Sequence, residues 1–211
     1  GGSSINGGAG AIVHRRPGMS DYHLLVLSAS VVAGSSTPVT GASLSFSSIT
    51  VHGGRLVFDA GSIVAASSLF TSSGTSVVVF STMSAPGLSV PAGASVLNGF
   101  FLNLTSNGAV LAANSTTTIN ASALDVQAGG LSVGAGAVLA PNLSTMAFVS
   151  GQGLTVAAGG TVSQSTTTRL NALGDVTLLS GSLWTHAANG ATRSSVVNVR
   201  VTGNFNAQGG S

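Results

Sequence analysis

Aspartates are the only acidic side chains of this 211-residue chain, and they stand at Asp21, Asp59, Asp125 and Asp175. Enzymes that cleave polysaccharides use paired carboxylates as acid and base, and calcium sites use carboxylates as ligands. Asp125 and Asp175 both precede Val, and Ser-Thr-Thr-Thr runs at 115–118 and 165–168 have the same spacing. If that spacing equals two turns of a repeating β-structure, the two carboxylates lie about 10 Å apart. Because the chain has no Lys or Glu, we expect instead that each carboxylate binds backbone N–H groups of a loop.

Histidines are the other candidates for catalysis or metal binding, at His14, His23, His52 and His186. No two of them have the close spacing of a zinc motif, although His14 and His23 are near enough to meet in space. Cysteine is absent, which excludes thiol chemistry. No nucleotide-binding glycine pattern occurs in a strand–helix context. We therefore expect no catalytic, cofactor-binding or metal-binding residue and no enzymatic activity.

Threonine runs at 116–118 and 166–168 raise a different possibility, because a flat and regular threonine face can bind ice. Such a face needs threonine at the same place in every turn of the structure. Only two runs exist in this chain, so we do not expect this function.

Charge is scarce, since 5% of the residues are charged, against roughly 25% in an ordinary soluble domain. Nucleic-acid binding requires clustered positive charge, and only Arg15 and Arg16 are adjacent, so we expect no nucleic-acid partner. No apolar stretch is long enough to span a bilayer as a helix. A neutral surface rich in Ser, Thr, Asn and Gly has little charge repulsion, which favours self-association.

Internal repeats organise the region from residue 87 onward. Near-identical phrases of the form Gly-Leu-Ser/Thr-Val-x-Ala-Gly occur at 87–94, 130–137 and 153–160, at multiples of a unit of about 22 residues. The phrase Gly-Ala-Val-Leu-Ala-x-Asn also occurs twice, at 108–114 and 136–142. Self-similarity at such a period is typical of stacked repeat architectures.

The wording of each repeat predicts short strands joined by small-residue corners. Leu154 and Val156 alternate with Thr155, as in a strand with one buried face, and residues 158–160 are small enough to turn the chain. We predict an all-β fold, a right-handed parallel β-helix with coils of about 22 residues, with the hand taken from the usual chirality of parallel crossovers. The alternative is an antiparallel β-sandwich, which also has short alternating strands.

Composition predicts two parts of the chain. We expect residues 1–18 to form a flexible Gly/Ser-rich lead-in and residues 19–211 to form one β-solenoid domain. The final phrase resembles a strand and corner, so we expect a fragment of a longer solenoid or a subunit whose end a neighbour completes. Phe100 and Phe101, the bulkiest neighbouring pair, are predicted to lie in the core or in a cap contact.

Three phrases, at 124–133, 154–162 and 201–211, resemble the repeats of large secreted β-helix proteins, such as autotransporter passengers and filamentous-haemagglutinin-type adhesins. The resemblance covers about residues 80–211 and implies a structural or adhesive role at a cell surface. We expect a secreted or cell-surface protein that assembles with copies of itself through chain ends into a fibre, matrix or layer, with surface glycans as a second class of partner. The alternatives are a carbohydrate-binding or carbohydrate-cleaving β-helix protein, and a β-sandwich fibre subunit that donates a strand.

Overall fold

A computed structural model describes residues 11–15, 22–27, 36–68, 70–149 and 151–209 of the chain. These residues form strands, turns and bends with no helix, and the strands stack as a parallel solenoid of about seven turns with coils about 22 residues apart. The predicted β-helix is therefore confirmed. The antiparallel sandwich is wrong, because strands of successive coils run parallel and pair at the repeat distance. The hand of the coil stays a prediction.

Three parallel sheets run along the solenoid, and each coil contributes one strand segment to each sheet. Sheet 1 contains β4 (Ser43–Phe46), β6 (Ile63–Ala66), the first part of β8 (Thr82–Val90), the first part of β10 (Phe101–Leu111), β12 (Ala123–Val126), β15 (Thr145–Phe148), β18 (Leu170–Leu173) and β21 (Val199–Val201). Sheet 2 contains β1 (Ala11–Arg15), β2 (Tyr22–Leu27), the first parts of β5 (Ser48–Phe58) and β7 (Phe70–Val79), the second parts of β8 and β10, β13 (Leu131–Val133), β16 (Gly153–Val156), β19 (Asp175–Leu178) and β22 (Phe205–Ala207). Sheet 3 contains β3 (Thr37–Val39), the second parts of β5 and β7, β9 (Gly93–Asn98), β11 (Ser115–Asn120), β14 (Val138–Asn142), β17 (Thr161–Gln164) and β20 (Leu183–His186).

The core is a set of aliphatic columns that follow from the alternation within each strand. Leu102, Leu124 and Met146 occupy the same register position in three successive coils, and none of them is exposed. Each such side chain gains about 1.5–3 kcal/mol from burial. One coil alone has nothing to bury these residues against, so the neighbouring coils provide the core.

Corners between sheets 2 and 3 are tight turns that stack on one another. In four of these turns the third residue has positive φ, a conformation that favours glycine; these residues are Asn114, Gly136, Gly159 and Gly181. Backbone bonds join neighbouring turns, from Gly136 N to Gly159 O at 3.0 Å and from Gly159 N to Gly181 O at 2.9 Å. The corners therefore continue the hydrogen-bonded ladder around the coil.

Strand β1 departs from the parallel pattern, because it pairs antiparallel with β2, Ala11 opposite Val26 and Arg15 opposite Tyr22. It covers the outer edge of β2, which would otherwise present unpaired backbone groups. Strand β1 falls inside residues 1–18, the predicted lead-in, whose other residues lie outside the described part of the chain. The division into residues 1–18 and 19–211 stays a prediction.

Phe100 and Phe101 are not core residues, so the core placement predicted for them is wrong. Phe100 lies at a corner and is 65% exposed, while Phe101 faces outward from sheet 1 and is half-buried. The position that points inward at this corner is Gly99. Phe80 of the preceding coil fills the space beside it, since a Cβ on Gly99 would lie 2.2 Å from the Phe80 ring.

Candidate binding surfaces

The aspartates with described side chains do not come together. Asp125 lies on β12 in sheet 1, and Asp175 begins β19 in sheet 2. Two coils beyond Asp125 the register places Leu173, after Ala147, so the two carboxylates do not stack. Asp175 lies two residues beyond Leu173, after the corner at Gly174, and therefore begins a strand of the next sheet.

Two aspartates bind backbone N–H groups of loops, as expected from the sequence. Gly41 N donates to Oδ2 of Asp59 over 3.1 Å, and Asn204 N donates to Oδ1 of Asp175 over 2.8 Å. Asp125 has no such bond among the described residues and lies beside Asn103 in the register of sheet 1. Asp21 lies outside the described residues.

The histidines with described side chains bond to groups other than histidine. His23 Nδ1 lies 2.7 Å from Ser48 Oγ, and His52 Nδ1 lies 2.8 Å from Ser73 Oγ. The backbone register sets His14 opposite His23, so these two positions do meet in space. Within the described ranges no three residues of the types His, Cys, Asp or Glu form a group that could hold a metal ion.

The two threonine runs occupy different kinds of structure. Thr116 and Thr118 lie on β11, where their neighbours in adjacent coils are Ala94, Val138, Val96 and Ala140. Residues 166–168 form bends that follow β17. No regular threonine face results.

One catalytic signature escaped the sequence analysis. Residues 130–134 spell Gly-Leu-Ser-Val-Gly, which matches the nucleophile-elbow pattern Gly-x-Ser-x-Gly. That pattern is catalytic only on a sharp turn from a strand to a helix, whereas Ser132 lies in the middle of β13 between Val110 and Thr155 of adjacent coils. The match is a consequence of the repeat phrase.

From β7 to β20 the outer face of sheet 3 is without charge, and we call this part the neutral face; the exposed Arg55 of β5 borders it, beside Val77. The neutral face runs over six coils and consists of small, uncharged side chains pointing away from the core. Its residues are Thr75, Val77, Val79, Ala94, Val96, Asn98, Thr116, Thr118, Asn120, Val138, Ala140, Asn142, Thr161, Ser163, Leu183 and Thr185. A side-chain ladder runs along its edge, in which Asn120 donates to Asn98 and Asn142 donates to Asn120, each over 2.6 Å.

The corner between sheets 3 and 1 widens in the last two coils. Two residues, 121 and 122, connect β11 to β12, whereas 165–169 connect β17 to β18 and 187–198 connect β20 to β21. The wide corners bind each other through backbone, since Leu170 N donates to Asn198 O over 2.9 Å and Val196 N donates to Thr166 O over 3.3 Å.

Gln164 fixes these wide corners from inside the solenoid. Its side chain is 1% exposed; Nε2 donates to Asn198 O over 3.1 Å, and Oε1 accepts from Asn198 N over 3.0 Å and from Trp184 Nε1 over 3.3 Å. Farther out, Asn189 Oδ1 accepts from Ser194 N over 2.8 Å and from Ser195 N over 2.7 Å. Because the buried amide of Gln164 satisfies three hydrogen-bonding partners, it holds the loop around Asn198 in one conformation.

The fold defines the class of protein: a parallel β-helix built from repeats. Comparison with known proteins adds no family to that class, because no family model, no curated protein and no solved structure matches the chain. No helix among the described residues is long and apolar enough to cross a membrane.

Proposed function

We propose that this protein is a secreted, non-enzymatic structural or adhesive surface protein that assembles with copies of itself into a fibre, matrix or layer. The observation that carries the proposal is the neutral face. The resemblance of the repeats to secreted β-helix adhesins supports the same role and the cell-surface location.

A neutral face of this kind favours association for two reasons. Its side chains are small and protrude little, so the faces of two copies approach closely along several coils. It also has no charge to repel a second copy or to be stripped of water on contact, and desolvation of charged groups is the largest cost of burying a polar surface.

Strand edges provide a second route of association. Among the described strands, β20, β21 and β22 each pair with one neighbour, β17, β18 and β19 respectively. Uncovered edges present unpaired N–H and C=O groups, onto which another strand adds. Surface glycans are the second class of partner in this proposal.

The experiment that tests the proposal introduces charge on the neutral face. The variant Ala94→Glu/Ala140→Glu places two negative charges there, on strands separated by β11. We expect the unchanged chain to form ordered fibres or sheets as concentration rises, in sedimentation velocity and negative-stain electron microscopy. The variant should remain dispersed at concentrations where the unchanged chain assembles, because like charges face each other across the contact.

A matched control carries the same two charges elsewhere. Ala113 and Ala158 are exposed positions of two corner turns, so Ala113→Glu/Ala158→Glu changes the net charge equally and leaves the neutral face intact. This control should assemble like the unchanged chain. Dispersed monomeric rods of the unchanged chain at every concentration would contradict self-association. Equal assembly of the two Glu variants would show that another surface mediates it.

A further inference from the structure

Positive charge gathers at the wide corner described above. Four arginines have described side chains, and three of them lie here: Arg169 before β18, Arg193 on the loop 187–198, and Arg200 on β21. We call these three residues the arginine corner. The fourth, Arg55, lies on β5 near the other end of the solenoid. All four are exposed.

The side chains of two of these arginines point outward from the same face of the solenoid. Leu170 is fully buried, so the preceding Arg169 points outward, and Val199 and Val201 pack against the core, so Arg200 between them points outward as well. Leu170 pairs with Val199 and Asn171 pairs with Arg200 on the adjacent strand. Arg169 and Arg200 therefore lie on neighbouring strands, offset by two residues along the strand direction. Strand geometry makes the distance between their Cα atoms about 8 Å.

No acid neutralises the arginine corner within the described part of the chain. Arg169, Arg193 and Arg200 form no ion pair there. Asp175 lies beyond the far end of β18, and its Oδ1 is bonded to Asn204 N. Asp125 lies two strands away from β18, on β12, with β15 between them. Because 5% of the residues are charged, three unpaired cations at one corner form the largest group of like charges among the described side chains.

The backbone beneath the arginine corner is already ordered. Gln164 and Asn189 hold the two loops through bonds to backbone groups. In repeat proteins, insertions between repeats lie on one face, which is often the binding face. A preformed loop spends little conformational entropy when a ligand binds.

We propose that the arginine corner binds a polysaccharide that carries carboxylate groups. A guanidinium group matches a carboxylate with two parallel hydrogen bonds. One exposed ion pair is worth little in water, so binding requires several carboxylates on one chain, spaced to reach successive arginines. This inference deepens the adhesive part of the proposed function and does not depend on self-association.

The test uses three polymers with one backbone: carboxymethyl dextran, dextran and dextran sulfate, immobilised at matched density. The complete 211-residue chain should bind carboxymethyl dextran at low ionic strength, release it as salt screens the contacts, and ignore neutral dextran. Replacing both outward arginines, in Arg169→Gln/Arg200→Gln, should weaken binding by about tenfold or more, because each substitution removes charged hydrogen bonds to the polymer. Arg193→Gln should weaken binding less.

Control variants match the change in net charge. Arg55→Gln removes one exposed arginine outside the corner and should bind as tightly as the unchanged chain, while Arg200→Gln, with the same net charge, should bind more weakly. Arg200→Lys should restore part of the loss, because the charge returns without the bidentate geometry. Unchanged circular dichroism and Trp184 emission would show that the variants are folded.

Several outcomes would overturn the inference. Equal loss in Arg55→Gln and Arg200→Gln would mean that net charge rather than this corner attracts the polymer. Binding to neutral dextran, or tighter binding to dextran sulfate or to a single-stranded oligonucleotide at equal charge, would assign another ligand. A chain that binds carboxymethyl dextran but stays monomeric would contradict self-association alone, and a chain that assembles without binding it would contradict this inference alone.

Discussion

Asn142 donates a hydrogen bond from its side-chain Nδ2 to Oδ1 of Asn120, one coil earlier, over 2.6 Å. Asn120 donates the same bond to Asn98. In the following coil, Ser165 donates from Oγ to Oδ1 of Asn142. The four residues stand at one register position of successive coils, so each amide satisfies its neighbour. The ladder stiffens the edge of the neutral face along the axis of the solenoid.

Removing the middle of this ladder should weaken the coils around it. Asn120→Ala deletes two side-chain bonds and should lower the free energy of unfolding by about 1–3 kcal/mol. The matched control is Asn107→Ala, at an exposed position, which should change it by no more than about 0.5 kcal/mol. Chemical denaturation followed by circular dichroism measures both. Equal midpoints for the two variants would show that the ladder contributes nothing to stability.

Glycine is required at some corners for space and at others for backbone conformation only. Gly108 and Gly159 have similar φ, 64° and 73°, but a Cβ on Gly108 would lie 2.0 Å from Gly130 O, whereas one on Gly159 would have its nearest neighbour at 3.7 Å. Gly159→Ala should therefore cost about 1–2 kcal/mol, from the left-handed conformation. Gly108→Ala should cost about 3–5 kcal/mol, because the coils must also separate. Thermal unfolding distinguishes the two; Gly159→Ala as the worse variant would contradict this packing.

Gln164 is predicted to be the most sensitive polar residue of the wide corners. Gln164→Leu leaves the N–H of Asn198 and the indole N–H of Trp184 without their partner and removes one of the two hydrogen bonds to Asn198 O, which should cost about 2–4 kcal/mol. Because Trp184 is the single tryptophan of the chain, its emission reports the loss directly. The exposed Gln127 provides the control, Gln127→Leu, which should change neither stability nor emission. A normal Trp184 spectrum in Gln164→Leu would exclude the indole bond.

The loss of stability on truncating an aliphatic side chain should follow how deeply that side chain is buried. Leu124→Ala removes a fully buried side chain between Leu102 and Met146 and should cost about 2–5 kcal/mol. Val110 faces outward on the same solenoid and is 51% exposed, so Val110→Ala should cost about 0.5 kcal/mol or less. Denaturation midpoints compare them. Because each coil contacts only its neighbours, the loss in Leu124→Ala should also raise hydrogen exchange most strongly in the adjacent coils.

The sequence by itself determined the class of the fold. Alternation such as Leu154, Thr155, Val156 marks which side of each strand is buried, and glycine-rich phrases mark the corners, because both depend on local backbone geometry. The repeat distance then determines which strands pair, since a coil buries its apolar face only against a copy of itself. The absence of Lys and Glu also predicted that carboxylates such as Asp59 and Asp175 bind loop backbone.

Only the tertiary structure decided which polar residues share a surface. The register across coils depends on the length of every corner: two coils beyond Asp125 the chain places Leu173, and Asp175 lies two residues farther, on a different sheet. The pairing of β18 with β21 brings Arg169 and Arg200 close together, although they are far apart in sequence. Phe100 looked like a core residue because of its size, yet Phe80 of the previous coil already fills the space at Gly99. Such outcomes follow from the sum of corner lengths and from packing between coils, which no local pattern encodes.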